Sequence, residues 1–433
     1  MKSEVSVPGS RLLARDATAL ERRFAEVRAV SRELAAPLSP EDATIQSMPE
    51  ASPAKWHLAH TTWFFETFIL EAQRPGREPF DRAYRVLFNS YYNAVGDKHP
   101  RPERGMLSRP SLAEVLRYRE AVDAEVRDLL ASGTLGPDAL ALVELGLNHE
   151  QQHQELLLTD VKHMFSRNPL RPVYRKSWPL TTVHPNPIEW IPVAGGKHEI
   201  GYTGDAFRFD NESPRHGVWL EPFEIASRPV THGDYLRFME DGGYSRPELW
   251  LSMGWDTVSQ RGWRAPLYWE KLGGDWQTFT LHGMAPIEAN TPVCHVSFFE
   301  ADAYARWAAA RLPTEAEWEV VAANAAIEGN FLESGALHPL AAREAASRGV
   351  PAQLFGDVWE WTRSDYAPYP GFRAAEGAVG EYNGKFMCSQ YVLRGGSCAT
   401  PASHIRATYR NFFPADARWQ FSGIRLARDA QLA

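Results

Sequence analysis

The stretch NHEQQHQEL, Asn148–Leu156, holds the densest chemistry in the chain. It contains HExxH, whose two histidines stand four residues apart. On a helix they share one face and can ligate one metal ion. Leu142, Leu145, Gly146, His149, His153, Leu156 and Leu157 form a stripe at helical period that turns both imidazoles into a core. Glu150 is rotated about 100° from His149. A buried structural pair is the plain alternative, at the cost of taking two imidazoles out of water. A zinc peptidase also needs a third ligand. The residues after His153, QELLLTDVKH, lack the metzincin continuation, and no Glu between Glu155 and Glu189 can complete a gluzincin site. A third histidine lies upstream in AKWHLAHTTWFFE, where Trp56, His60, Trp63 and Phe64 share a face. His57 falls almost opposite and is expected on the outer face. His60 with the His149/His153 pair would leave about three positions open on an octahedral metal and keep its full positive charge, which suits a thiolate. Zinc with water and Fe(II) with O2 both fit three imidazoles.

Roughly the first 165 residues read as the helices that would carry these groups. Ser10 to about Leu34 is rich in Ala, Leu, Arg and Glu. Ser52 and Pro53 look like a cap followed by Pro at the first helical position, and AKWHLAHTTWFFETFIL continues unbroken. Ser111 opens a third helix, with Glu114 placed for a capping box. A fourth follows the GTLGPDAL turn and runs to about Phe165. Four such helices predict a bundle. The connection from about Arg74 to Pro110 is too long for a turn, and loops of that length often serve ligand sites. Pro-rich NPLRPVYRKSWPLTTVHPNP reads as an irregular linker. Beyond it, short apolar stretches are punctuated by Gly, Pro, Asn and Asp, with two clear helices, THGDYLRFMEDG and SFFEADAYARWAAAR. The expected division is a bundle over 1–167, a linker over 168–187 and an α+β domain over 188–433.

At 433 residues, the chain can bury two cores. Its net charge of -8 gives nucleic-acid binding no global support. Cys294, Cys388 and Cys398 include no CxxC, against a disulfide framework or a cysteine-based zinc knuckle. The opening residues lack the apolar core of a signal peptide, and no 18-residue apolar run exists. The expectation is a soluble cytoplasmic protein with no membrane partner.

WHLAHTTWFFE, NSYYNAVGDKHPRPERGMLSRP, NHEQQHQELLLTD, RLPTEAEWE, GDVWEWTRS and RGGSCATPASHIRATYRNFF occur in this order. Together they resemble the sulfoxide synthases of ergothioneine biosynthesis, from about Leu12 to Ala427. The resemblance implies a DinB-like four-helix bundle, then a C-type-lectin-like, formylglycine-generating-enzyme-like domain that completes the substrate pocket. It implies a non-haem Fe(II) enzyme that uses O2 to join a thiol to the imidazole C2 of hercynine, the trimethylated betaine of histidine. The family's ligands fall on His60, His149 and His153, the set reached above from the helix faces. Its loop-borne tyrosine falls on Tyr91 and Tyr92, and a phenol there can supply a proton or hydrogen atom that favours C–S bond formation. Its carboxylate clamp falls on Arg101 and Arg104. Gln152 takes the place of the contact to the hercynine imidazole, and Asn411, Phe412 and Phe413 that of the contacts to the quaternary ammonium. Phe413 stands where relatives that use γ-glutamylcysteine carry an acid, which favours free L-cysteine. Each of these residues also has a plain structural reading, as packing aromatic, surface arginine or helix brace.

Copper-dependent formylglycine-generating oxidases are a rival, since the second half resembles them. Their two copper-binding cysteines would fall on Thr400 and Ile405, and Cys398 has no partner at the required interval. WEWT at Trp359–Thr362 and RLPTEAEWE at Arg311–Glu319 then read as scaffold. Besides the C–S bond-forming oxygenase acting on cysteine, three readings stay open: the same reaction with γ-glutamylcysteine, a thiol dioxygenase, and a non-enzymatic metal- or thiol-binding module holding structural zinc.

Overall fold

The computed structural model describes residues 15–176, 187–342 and 349–430. The chain forms two compact units. One comprises Met1–Asn168 with Thr203–Asp210 and Arg373–Lys385, and the other Pro169–Tyr202, Asn211–Phe372 and Phe386–Ala433. Most of the expected linker, residues 177–186, lies outside the described residues, as do residues 10–14 of the first helix.

In the first unit four long helices carry the core: α1 (Arg15–Ala35), α2 (Ala54–Phe65), α3 (Leu112–Ser132) and α4 (Pro137–Arg167). The Ser111/Glu114 capping box forms as expected. Ser52 does not cap α2. Pro53 occupies the cap position, while Ser52 donates its N–H to Asp160 (2.8 Å) and its hydroxyl accepts from Arg104 (2.9 Å). The second helix runs on past Phe65 to Gln73 as expected, widening into a π turn at Glu66–Leu70. Buried Glu66 accepts there from the Tyr118 hydroxyl (2.6 Å), Arg77 (2.7 Å) and the Phe80 N–H (2.9 Å), tying down the start of the long connection. That connection contains helical turns at Tyr84–Leu87 and Arg101–Met106.

The middle of α4 is buried on more than one side, beyond the single stripe that periodicity suggests. Glu150 and Gln154 face α1, where Gln154 donates to the Val27 carbonyl (2.8 Å) and the Ser31 hydroxyl (3.0 Å). Glu150 accepts from Ser31 (2.5 Å), Arg28 (2.7 Å) and Arg119 of α3. Burial alone would raise its pKa, but Arg119 and Arg28 outweigh that and hold it below the usual carboxylate range. Gly146 lets α2 approach, since a β-carbon there would stand 2.7 Å from Phe65 and 2.9 Å from Phe64.

The second unit is built from small sheets and short helices. A four-stranded sheet runs Asn411–Phe413, Tyr391–Arg394, Trp359–Asp365, Ser422–Gly423, and a three-stranded one runs Trp190–Val193, Phe223–Ala226, Ala427–Asp429. The two expected helices appear as His232–Glu240 and Phe298–Trp307, each with a capping box. Two more were not expected, Ser252–Arg261 and Glu315–Ala322. RLPTEAEWE and WEWT serve as scaffold: Arg311 pairs with Glu317 (2.8 Å), and Trp318 donates to buried Glu360 (2.7 Å), which Arg425 also holds. Among the described residues no helix is long and apolar enough to cross a membrane.

Gly146→Val should destabilise the bundle by about 1–3 kcal/mol, because its side chain would have to displace the buried rings of Phe64 and Phe65. Denaturant unfolding followed by circular dichroism checks this, and an unchanged midpoint would contradict the close α2–α4 approach.

Candidate metal centre

His60 on α2 and His149 and His153 on α4 each bring a ring nitrogen within 4.8 Å of the other two. The ring centroids are 4.9 Å (His60–His149), 4.8 Å (His60–His153) and 4.6 Å (His149–His153) apart. His60 and His149 are buried, while His153 stays partly accessible. His60 Nδ1 lies 2.6 Å from the Phe88 carbonyl, an acceptor only, so Nδ1 carries the proton and Nε2 a lone pair. That Nε2 has no hydrogen-bond partner, and neither nitrogen of His149 has one. Each such buried orphan costs about 1–3 kcal/mol unless something satisfies it. Burial drives the pKa of all three imidazoles down, that of His149 to about 3, so they are neutral donors at physiological pH. Neutral, converging imidazoles with His60 Nε2 and both His149 nitrogens unsatisfied fit a first-row metal ion such as Fe(II).

His57 is not on the outer face. It is buried, with Nδ1 2.8 Å from His153 Nδ1 and Nε2 3.0 Å from Asp160. Placing it opposite His60 misjudges the rotation: three residues turn a helix by about 300°, so His57 lies about 60° from His60 and faces α4 beside it. The HExxH glutamate, held by Arg28 and Arg119, is turned away from the triad and cannot act as a metallopeptidase base.

Tyr91 and Tyr92 stack at 4.5 Å with their hydroxyls 3.4 Å apart. Tyr92 is fully buried against Trp63 (5.6 Å), which in turn stacks on His60 (5.6 Å). Burial raises both phenol pKa values, keeping the hydroxyl protons in place at neutral pH. Asn89 holds the loop by accepting from the Tyr92 N–H (3.2 Å) and donating to the Tyr92 and Gly96 carbonyls (3.1 Å each).

Arg104 is buried, lies over the Trp56 ring (3.4 Å to its centroid) and donates to Ser52 and Ser90 (2.9 Å each). Among the described residues no carboxylate forms an ion pair with it. Burial, then the nearby Arg101 charge, push its pKa down to about 8. Such a guanidinium gains strongly from an incoming anion. Arg101, on the same helical turn, is exposed and donates to the Glu50 carbonyl. Gln152 accepts from the hydroxyl of Tyr382, whose ring lies 5.6 Å from His149 and 6.3 Å from Tyr91. Sequence reasoning missed Tyr382, which lies 382 − 153 = 229 positions beyond the last ligand, where no local pattern points to it. It also missed Asp160, although seven residues after His153 is the same helix face.

In the second unit, Asn411–Phe413 is an edge strand of the four-stranded sheet. Phe412 stacks on Tyr366 (4.0 Å), Phe413 lies 6.0 Å from Trp419, and the Asn411 side chain accepts from the Phe412 N–H (2.9 Å).

The chain matches the DinB superfamily over residues 23–157 and the sulfatase-modifying factor enzyme 1-like domain over 180–352 and 333–430. A formylglycine-generating enzyme of Streptomyces coelicolor is 28% identical over 285 residues, covering 56% of this chain and 90% of that protein. The hercynine oxygenase of Mycolicibacterium smegmatis is 34% identical over 414 residues, covering 89% of this chain and 92% of that protein. That of Mycobacterium tuberculosis is 33% identical over 405 residues, covering 88% and 92%. Similarity at this level runs through both the bundle with its three converging imidazoles and the sheet-rich unit, and the chain belongs to the hercynine oxygenase family.

Proposed function

We propose that this chain joins hercynine to L-cysteine oxidatively, giving hercynylcysteine S-oxide, with Fe(II) on His60, His149 and His153 and O2 as co-substrate. The C2–H and S–H bonds break, a C–S bond and an S–O bond form, and the second oxygen atom leaves as water. O2 thereby takes up four electrons, and no outside reductant is needed. Family membership supports the hercynine half. The observation that carries the reading is the pairing of three converging neutral imidazoles, with His60 Nε2 and both His149 nitrogens unsatisfied, with a buried arginine that among the described residues pairs with no carboxylate.

Bound Fe(II) would supply thiolate coordination and O2 activation; the protein supplies the rest. Arg104, backed by Arg101, binds the cysteine carboxylate and thereby fixes where the thiol reaches. Tyr91 and Tyr92 hold protonated hydroxyls for delivery during oxygen chemistry. Gln152, held by Tyr382, presents its amide to the hercynine imidazole. Asn411, Phe412 and Phe413 are assigned to the hercynine ammonium on the strength of the resemblance. A cytoplasmic location is proposed alongside, since Cys294, Cys388 and Cys398 form no disulfide.

Anaerobically loaded with Fe(II), the protein should consume O2 only when hercynine and cysteine are both present, with the sulfoxide adduct seen by mass spectrometry. Uptake with cysteine alone, yielding sulfinate, would support the dioxygenase instead. Arg104→Lys should raise KM for cysteine about 10- to 100-fold, from loss of about 1.5–3 kcal/mol of charge-assisted hydrogen bonding, with KM for hercynine little changed. Tyr92→Phe keeps the ring packing but removes the hydroxyl. A product mixture shifted toward sulfinate is expected, and an unaltered mixture from both Tyr91→Phe and Tyr92→Phe would remove the tyrosines from the mechanism.

A further inference from the structure

One imidazole and one carboxylate, His57 and Asp160, extend from the triad at His153. Asp160 is buried, and its Oδ2 faces His57 Nε2 (3.0 Å) while also accepting from the Ser52 N–H (2.8 Å). His57 Nδ1 faces His153 Nδ1 at 2.8 Å. Only one proton fits between two ring nitrogens at that distance, so one donates and the other accepts.

The two ends of the line give the same answer. The carboxylate of Asp160 accepts, which places the His57 proton on Nε2 and leaves Nδ1 as an acceptor. His153 must then donate from Nδ1, and its Nε2 keeps the lone pair. Read from the other end, a His153 that ligates through Nε2 carries its proton on Nδ1 and needs an acceptor there. His57 is that acceptor. On the opposite side of the site the Phe88 carbonyl does the same for His60.

We propose that Asp160 and His57 form a positioning relay that fixes the tautomer and ring orientation of His153, so that its Nε2 is presented to the metal. This rests on the metal reading above and adds two residues to it. Outer partners of this kind typically change metal affinity 10- to 100-fold when removed. His57→Phe removes the acceptor but keeps a buried ring. His57→Asn restores an acceptor oxygen near the former Nδ1 position.

Fe(II) alone is titrated anaerobically against a competing chelator, with circular dichroism recorded for each variant. His57→Phe should bind Fe(II) about 10- to 100-fold more weakly, and His57→Asn should recover most of the loss. A folded His57→Phe with undiminished affinity overturns the relay, as does a folded His57→Asn that loses as much as the phenylalanine variant. If His57→Phe does not fold, histidine nitrogen-15 shifts of the unaltered, metal-free protein decide. His57 protonated on Nε2 and His153 on Nδ1 is the expected pattern, and the reverse pair of tautomers overturns the proposal. Failure of the metal reading would appear separately, as no Fe(II) binding by the unaltered protein.

Discussion

The buried ion pairs of Glu150 with Arg28 and Arg119 set the rotation of α4, and the metal centre depends on that rotation. The three side chains come from α1, α3 and α4, each nearly excluded from water. Breaking such a cluster leaves an unpaired buried charge, at a cost of about 3–5 kcal/mol, so α4 cannot turn about its axis without a large penalty. With Glu150 held toward α1 and α3, His149 and His153 must project toward α2, where His60 waits. Gly146 then sets the depth by letting the α2 aromatics lie against the α4 backbone. A residue that in peptidases acts as a base is here a clamp. The same five-residue pattern supports different chemistry because its glutamate has a different neighbour.

A second constraint is what the fold leaves unsatisfied. The second unit pairs its buried charges closely: Arg394 with Glu319, Arg410 with Glu315, Arg406 with Glu212, Arg425 with Glu360. Against that habit, His60 Nε2 and both nitrogens of His149 stand without hydrogen-bond partners, and among the described residues no carboxylate pairs with Arg104. Folding free energy is spent to keep them so, and a ligand recovers it. Three neutral imidazoles leave a divalent ion's charge undiminished, and Arg104 adds another positive charge without an acid. The site therefore favours anions, and a cysteine binding as thiolate and carboxylate brings two.

Much of this was legible in the chain. The i, i+4 pair and the face shared by Trp56, His60 and Trp63 identify the ligands by geometry alone, and Ser111 with Glu114 marks a helix start that forms as read. The misreadings have separate physical causes. Helical periodicity distinguishes inside from outside only when a helix has an outside, and α2 is buried along its whole length. His57, three residues before His60 and so about 60° from it around the helix, meets α4 beside it and not water. Ser52 looked like a cap, but buried Asp160 and Arg104 compete for its N–H and hydroxyl. The helix at Glu315–Ala322 was missed although Thr314 and Glu317 spell a capping box, because its short apolar pattern follows Pro313 and reads as scaffold loop.

The segment Arg373–Lys385 explains how a long loop can hold two phenols firmly. Glu381 accepts from the N–H groups of Asn93 (3.0 Å) and Ala94 (2.7 Å), the residues after the tyrosine pair, and Lys385 donates to the Tyr91 carbonyl while pairing with Glu381 (2.9 Å). Tyr382 sits between these two anchors, with its hydroxyl on Gln152 and its ring on Phe209 (5.4 Å) and His149 (5.6 Å). One short stretch thus grips the tyrosine loop by its backbone and the ligand helix by a side chain. Displacement of Tyr91 relative to His149 would have to break bonds at both ends together. A loop fixed in this way can place a hydroxyl with the precision usually expected of a helix, which is what the proposed delivery of a proton or hydrogen atom by Tyr91 or Tyr92 requires.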